Sequence, residues 1–235
     1  MKSTFLLILP LIALFLSSCA EEIPSDNIPT EEILRHYYAH STNDGKVYVT
    51  AEFYADGGLT IPPFREPFGK TITLNPPAKV VFNGQEMEMK KGVLGEVSYS
   101  LSLDQWPTSF EWVWTDKDGQ THSNKANMQT ISLSNNPFTQ RGDKFVVQWN
   151  GAPIQTGEEV RVSLDRGEQA FVETSSDVGS QSIAINSGGY NLNYSEFDEV
   201  DISRTLIVSD TKEISVENVA GAYIKLVHTY EERRY

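Results

Sequence analysis

Short runs in which apolar and mostly polar residues alternate recur along this chain. In residues 46–54 (KVYVTAEFY), the apolar positions are Val47, Val49, Ala51 and Phe53. Successive side chains of a β-strand point to opposite faces of its sheet, so this spacing predicts a strand with one buried face. Comparable runs lie at residues 70–74, 79–82, 85–89, 97–103, 110–115 and 128–133.

A loop-forming cluster at residues 134–137 (SNNP) separates this series from a second one. The second series lies at residues 144–149, 159–164, 169–174, 181–186, 190–194, 202–208, 213–216 and 222–230. After residue 18, helical periodicity is confined to a single turn within residues 30–38. The pattern predicts an all-β chain of two consecutive antiparallel immunoglobulin-like β-sandwiches, residues 33–134 and 135–235. One larger sandwich of about 210 residues is the alternative.

Turn-forming residues separate the predicted strands. Asn83-Gly84 and Asn150-Gly151 are each typical of a two-residue type I′ hairpin turn. Residues 116–119 (DKDG) are interpreted as a hairpin turn, because the calcium-ligand spacing that would follow such a start is missing. Residues 141–143 (RGD) are interpreted as the turn before the strand at 144–149, and Gly188-Gly189 as a corner.

The first 18 residues have the composition of a secretory signal peptide that is removed. Lys2 precedes an apolar run at residues 5–16 (FLLILPLIALFL). This run is too short to span a bilayer, which takes roughly 20 apolar residues, and Pro10 interrupts its helical hydrogen bonding.

Residues 16–19 (LSSC) resemble the lipobox of bacterial lipoproteins, with Cys19 at the modified position. The resemblance implies cleavage before Cys19 and attachment of diacylglycerol and a further acyl chain such as palmitate. Cys19 is also the single cysteine of the chain, so no internal disulfide is available to it. Two or three acyl chains anchor a protein firmly to a membrane surface. The alternative is an ordinary signal peptide cut after Ala20.

Residues 19–32 are predicted to form a lipidated acidic tether, because they are rich in Glu, Pro, Ser and Asp. An acidic start after the lipidated cysteine resembles signals that direct some lipoproteins of the Bacteroidetes group to the outer face of the outer membrane. We therefore expect a lipid-anchored protein of the bacterial cell envelope, in the outer membrane.

The net charge argues against a nucleic-acid partner. The chain has 32 acidic and 19 basic residues, a formal net charge of −13. Phosphate backbones are bound by clustered Lys and Arg, and the longest basic run here is Arg233-Arg234. The acidity is attributed to solubility.

An aromatic stripe at residues 110–114 (FEWVW) is the most informative internal feature. Strand alternation places Phe110, Trp112 and Trp114 on one face, which is either the core of a sandwich or a platform on which a ligand stacks. The platform interpretation makes these three residues candidate ligand-binding residues, together with Trp106 and Phe64.

Reactive groups do not converge in the sequence. His36 and His40 would share a helix face, but no third ligand completes a zinc site, and His122 and His228 carry no further signal. No Gly-x-Ser-x-Gly elbow is present, and adjacent carboxylates on a strand point apart. We predict no metal, no cofactor and no enzymatic activity.

The sequence therefore predicts a non-catalytic binding or accessory module of the cell envelope with a glycan or protein ligand. The first alternative is an assembly lipoprotein in which an edge strand, for instance at residues 222–230, pairs with a strand of a partner. An envelope hydrolase is the second alternative.

Overall fold

The computed structural model describes residues 22–55, 70–93, 95–191, 193–209 and 222–233. The described chain is almost entirely β-structure, which confirms the predicted all-β class. Its helical segments are three short 3-10 turns at Ser25–Asn27, Thr30–Glu32 and Tyr194–Glu196. Within the described ranges no helix has the length and apolar content needed to cross a bilayer.

The strands of the first half are β1 (Glu22–Pro24), β2 (Ile33–Ser41), β3 (Val47–Ala55), β4 (Thr71–Thr73), β5 (Lys79–Phe82), β6 (Gln85–Glu86), β7 (Glu88–Lys91), β8 (Val97–Leu103), β9 (Phe110–Thr115) and β10 (Thr121–Ala126). Those of the second half are β11 (Ser132–Arg141), β12 (Lys144–Asn150), β13 (Glu158–Arg166), β14 (Gln169–Ser175), β15 (Ser182–Asn186), β16 (Glu199–Ser209) and β17 (Ala222–Arg233).

One large sheet runs through both halves of the chain. Its strands follow the order β1-β4-β3-β2-β17-β16-β13-β14, and β8 also pairs with β3 while β7 pairs with β8. A four-stranded sheet, β10-β9-β5-β6, shares a buried core with the first half of the large sheet. A three-stranded sheet, β11-β12-β15, shares a second core with β13 and β16.

The long strands β16 and β17 contribute to both halves. Val200 and Ile202 of β16 lie in the second core, whereas Leu206 lies in the first. Ile224 and Leu226 of β17 also pack in the first core. The domain ranges 33–134 and 135–235 remain a prediction about folding units, but strands from the second range complete the first core.

Among the described strands, which pair mainly antiparallel, two pairs are parallel: β1 with β4, and β17 with β2. The β17–β2 pair brings the end of the chain beside its first long strand. Because β17 is hydrogen-bonded to β16 on its other side, it is an interior strand. The prediction that residues 222–230 offer a free edge to a partner is therefore wrong.

The predicted acidic tether is shorter than residues 19–32. Glu22–Pro24 pairs with β4, Ser25 is buried, and its hydroxyl accepts a hydrogen bond from the Asn75 backbone N–H at 3.0 Å. Ile28 belongs to the first core. The folded body thus begins by residue 22, and residues 19–21 lie outside the described ranges.

Most predicted turns are confirmed. Asn83-Gly84 has positive φ at both residues and connects the paired strands β5 and β6. Residues 116–119 connect β9 to β10, and residues 141–143 lie at the turn between β11 and β12. Asn150-Gly151 does not close a hairpin, because β12 and β13 pair with different strands. Here the Asn150 side chain instead donates to the Leu133 carbonyl of β11 at 2.8 Å.

Candidate functional site

The predicted aromatic stripe lies in the first core. Phe110 and Trp112 are fully buried, Trp114 is 1% exposed, and Trp112 stacks on Tyr37 with ring centroids 5.1 Å apart. The core interpretation of the stripe is therefore correct. Phe110 and Trp112 have no exposed ring face on which a ligand could stack, and the ligand-binding role predicted for them is wrong.

Trp106 is half-buried and held in place by the protein. Its indole N–H donates to the Met128 carbonyl at 2.9 Å, and its ring lies 4.9 Å from Phe110 and 4.9 Å from His228. These contacts give Trp106 a packing role. Phe64, the other aromatic candidate, and Cys19, the predicted lipidation site, lie outside the described residues.

A different aromatic surface forms on the outer side of the large sheet. Along β2, Tyr37 and Ala39 point into the first core, so the alternating His36, Tyr38 and His40 point outward. His36 and His40 share a face because every second residue of a strand points to the same side of the sheet. The helical turn that the sequence suggested for this segment does not form.

Neighbouring strands extend this surface in register. His40 lies opposite Tyr48 of β3, and His36 lies beside Tyr223 of β17. We use the name tyrosine–histidine face for this set: His36, Tyr38, His40, Tyr48, Tyr54 and Tyr223.

Close ring contacts connect the members of the tyrosine–histidine face. The His40 ring stacks with Tyr38 at 5.1 Å and with Tyr48 at 5.6 Å between centroids. The His36 ring lies 5.0 Å from Tyr54 and 5.7 Å from Tyr223. Tyr48 is 41% exposed and the other five residues are half-buried. The rings are thus held in place by one another while edges remain open to solvent.

Hydroxyl groups dominate the surroundings of these rings. Ser100 and Ser102 of β8 lie opposite Thr50 and Tyr48 of β3, on the same outward side. Burial lowers the pKa of His40, which favours its neutral form at pH 7. The face therefore offers apolar ring surface next to hydroxyl groups. Two charged residues lie on the same side: Glu52, which accepts a hydrogen bond from the Tyr54 hydroxyl at 2.6 Å, and Lys225, which lies beside Tyr38.

A second feature is an open pocket of about 650 Å³ at one end of the first half, which we call the end pocket. Its walls come from the 3-10 turn at Thr30–Glu32, the start of β2 and the β9–β10 turn. The lining residues are Pro29, Thr30, Glu31, Arg35, Trp114, Asp116, Lys117, Asp118, Gln120 and His122.

An aspartate–histidine pair fixes one wall of the end pocket. The Asp116 carboxylate lies 2.9 Å from His122 Nε2 and accepts hydrogen bonds from the backbone N–H groups of Asp118 and Gln120. Burial alone would raise the pKa of Asp116, but the hydrogen bonds from His122 and the two backbone groups outweigh it, and the pKa is lowered. Asp116 is thus an ionised carboxylate with its hydrogen-bonding capacity largely used.

Trp114 connects the two sides of the end pocket. Its ring stacks on His122 with centroids 4.8 Å apart, and the Arg35 guanidinium carbon lies 5.3 Å from the indole centroid. The latter is a cation–π contact. Of the four predicted ligand-binding residues that the structure describes, Trp114 alone lines the end pocket.

An acidic cluster lies near the far end of β16 and β17. One carboxylate oxygen from each of Glu199, Asp201 and Glu231 lies within 4.8 Å of the others. Arg233 forms ion pairs with Glu199 and Glu231. Burial, and then repulsion by neighbouring carboxylates, raises the pKa of Asp201 to about 6. Arg233 partly offsets the negative charge of this cluster.

Apart from Trp114 and the pair His36 and His40, the residues that these two sites bring together were not predicted from the sequence. The signal for the tyrosine–histidine face was present in the alternation of residues 33–41, where His36, Tyr38 and His40 occupy every second position. The end pocket depends on contacts between distant elements, so the spacing of residues along the chain does not indicate it. A search of known protein families and of curated proteins found no match to this chain.

Proposed function

We propose that this chain is a non-catalytic binding module of the bacterial cell envelope, and that its ligand is a neutral glycan bound on the tyrosine–histidine face. The observation that carries the proposal is the row Tyr38–His40–Tyr48, whose rings are ordered by mutual stacking and lie among outward hydroxyl groups. The immunoglobulin-like character of the two sandwiches and an anchor at Cys19 in the outer membrane belong to the same proposal.

The chemistry of the face matches that of a sugar. A pyranose ring has apolar C–H patches and many hydroxyl groups, and it binds where aromatic carbon lies beside hydrogen-bond donors and acceptors. Tyr48 supplies the most exposed ring, and Ser102 lies directly opposite it. Rings that already stack on each other lose little conformational freedom when a ligand binds.

The binding test compares two tyrosines with similar exposure. Tyr48 is 41% exposed on the face, whereas Tyr190 is 44% exposed in the second half of the chain. With soluble neutral polysaccharides as probes, Tyr48→Ala is expected to weaken binding about tenfold, the loss of one aromatic contact. Tyr190→Ala is the matched control and should bind as the unaltered chain does. Equal binding by both variants would contradict the proposal.

The anchor is tested separately, because the face could bind sugar with or without it. Expression of the full chain in a bacterium should give a membrane-bound product whose mass includes acyl chains on Cys19. Cys19→Ser should remove the acyl mass and release the protein from the membrane fraction. Acylation or processing before residue 19 in the Cys19→Ser variant would exclude the lipoprotein assignment.

A further inference from the structure

We infer that the turn between β7 and β8 contacts the lipid bilayer to which Cys19 is proposed to be attached, and that the Val93 side chain inserts between the lipid headgroups. The inference rests on the anchor at Cys19 in the proposed function and adds a second contact with the same membrane. Two contacts fix the orientation of the folded body on the bilayer, whereas a single flexible attachment leaves it free to rotate.

Val93 is the most exposed large apolar residue among the described residues, with its side chain 101% exposed. The turn that presents it is closed by two backbone hydrogen bonds. The Gly92 N–H donates to the Glu96 carbonyl at 2.8 Å, and the Gly95 N–H donates to the Gly92 carbonyl at 3.2 Å. The Val93 side chain gains no burial from the fold, so its transfer to an apolar phase is favourable.

The turn leaves the large sheet at the end where the described chain begins. β4 and β8 both run antiparallel to β3, so each begins toward the Ala55 end of that strand. β1 pairs parallel with β4, with Glu22 beside Thr71, so β1 begins there as well. The turn immediately precedes Val97, the first residue of β8, and therefore projects beyond the same end, which we call the anchor end.

An ion pair joins the base of the turn to the first described residue. Lys91 Nζ lies 2.7 Å from one Glu22 carboxylate oxygen, and the other accepts a hydrogen bond from the Thr73 hydroxyl at 2.6 Å. Lys91 is the last residue of β7, two positions before Val93. Cys19 precedes Glu22 by three residues, which span at most about 11 Å. A bilayer attached at Cys19 is therefore close enough for Val93 to reach it.

The charges around the turn balance, although the chain as a whole has a net charge of −13. Residues 88–96 contain two lysines and two glutamates. Lys90 pairs with Glu88 at 3.0 Å, and Lys91 pairs with Glu22. One valine contributes little affinity by itself. The anchor keeps the turn at a high effective concentration beside the bilayer, so weak insertion is enough to hold it there.

Contact at the anchor end holds the tyrosine–histidine face away from the lipid. Tyr54 lies opposite Thr71, which pairs with Glu22 on its other side, so Tyr54 lies close to the anchor end. Tyr48 is six residues farther along β3, about 20 Å. The most exposed ring of the face is thus held well above the bilayer, where a glycan has access to it.

Quenching of tryptophan fluorescence by brominated lipids tests the inference, because bromine quenches only a nearby indole. The processed chain, residues 19–235, keeps every described residue and has a single thiol, at Cys19. This thiol is coupled to a maleimide lipid in phosphatidylcholine vesicles with brominated or ordinary acyl chains. Val93→Trp adds an indole at the turn. Brominated vesicles should remove about half or more of the added emission, since interfacial side chains lie about 5–10 Å into the headgroup region.

Two further variants are matched controls. Met89→Trp places the indole on the same hairpin, about 13 Å from the turn. Val178→Trp places it on the β14–β15 loop, at a residue that is 65% exposed. Both should lose less than about one tenth of the added emission. Equal quenching in all three variants, or none in Val93→Trp, would overturn the inference.

Amide hydrogen exchange tests the native valine, because tryptophan has its own affinity for the membrane interface. In the coupled chain without substitutions, exchange at residues 92–95 should be several-fold slower than in the same chain free in solution. Val93→Asp should abolish this difference, whereas Val178→Asp should keep it. A difference that persists in Val93→Asp would overturn the inference.

The result is separable from that of the anchor test. Chemical coupling attaches Cys19 to the bilayer whether or not a bacterium acylates it. Absence of acylation after expression would contradict the proposed anchor. Absence of quenching in the coupled Val93→Trp chain would contradict the membrane contact of the turn, even where acylation of Cys19 is found.

Discussion

His228 of β17 lies directly opposite Arg204 of β16, at the junction of the two cores. Arg204 is fully buried and its guanidinium lies 3.8 Å from the Glu158 carboxylate. His228 Nδ1 accepts a hydrogen bond from the Ile131 backbone N–H at 3.3 Å. Burial, and then the positive charge of Arg204, lower the pKa of His228 to about 4.

The lowered pKa of His228 predicts a loss of stability in acid. The folded pKa lies below the usual value of 6.5, so its stabilising contribution is complete above pH 6.5 and is lost as the pH falls toward 4. Near pH 5, unfolding should take up about one proton at this residue. His228→Gln should reduce that uptake, measured from the pH dependence of the free energy of unfolding. An unchanged pH dependence would contradict the assignment.

Asp201 should act in the opposite direction over an overlapping pH range. Its pKa is raised to about 6 from 3.8, so the folded state keeps a proton that the unfolded state releases. Its contribution to stability is greatest below pH 4 and decreases as the pH rises to about 6. Asp201→Asn should therefore raise the melting temperature at pH 7 and have little effect near pH 4. If Asp201→Asn were less stable than the unaltered chain at pH 7, the folded state would favour the charged Asp201 carboxylate, which would contradict the raised pKa.

Gly151 should be more sensitive to substitution than other glycines with positive φ. A Cβ at Gly151 (φ +110°) would lie 2.6 Å from the Thr130 carbonyl oxygen, whereas one at Gly142 (φ +63°) has no atom within 4 Å. Gly142→Ala should cost about 1 kcal/mol, from backbone strain alone. Gly151→Ala should cost roughly 2–4 kcal/mol, because steric overlap adds to that strain. Chemical denaturation measures the free energy of unfolding of both variants. Equal losses would contradict the close approach of Gly151 to the Thr130 carbonyl.

β17 is the last described strand of the chain, yet it packs in the first core, so a residue of β17 should stabilise the first half of the chain. Ile224 is 3% exposed and lies in that core, while Ile207 on neighbouring β16 is 46% exposed. Ile224→Ala should cost about 2–5 kcal/mol, the range for a buried aliphatic truncation. Ile207→Ala should cost less than about 1 kcal/mol. Tryptophan fluorescence during urea unfolding measures the free energy of unfolding of both variants. Similar losses would contradict the packing of β17 in the first core.

The strands with strict alternation were predictable from the sequence. Residues 47–55 and 110–115 alternate clearly, and each forms a strand with the expected buried face. The strand at residues 33–41 was missed because Tyr37-Tyr38 and the histidines blur the contrast between apolar and polar positions. The strand predicted at residues 190–194 is wrong, since the described residues 190, 191 and 193 are not in a strand and Tyr194 begins a 3-10 turn. The strand predicted at 213–216 lies outside the described residues.

Sheet order could not be derived from local patterns. Parallel pairing of β17 with β2 joins residues almost two hundred positions apart, and no turn chemistry indicates such a contact. The two candidate sites depend on that order. Tyr223 lies beside His36 because β17 pairs with β2. Arg35 contacts Trp114 because the large sheet packs against the four-stranded sheet.

The histidine side chains provide the most direct test of glycan binding on the tyrosine–histidine face. The chain has four histidines: His36 and His40 on the face, His122 in the end pocket and His228 at the core junction. NMR spectra of the ring nitrogens, recorded during titration with soluble neutral polysaccharides, report on all four at once. The account predicts that a bound glycan shifts the signals of His36 and His40 and leaves those of His122 and His228 in place. Binding that leaves His36 and His40 unshifted would contradict it.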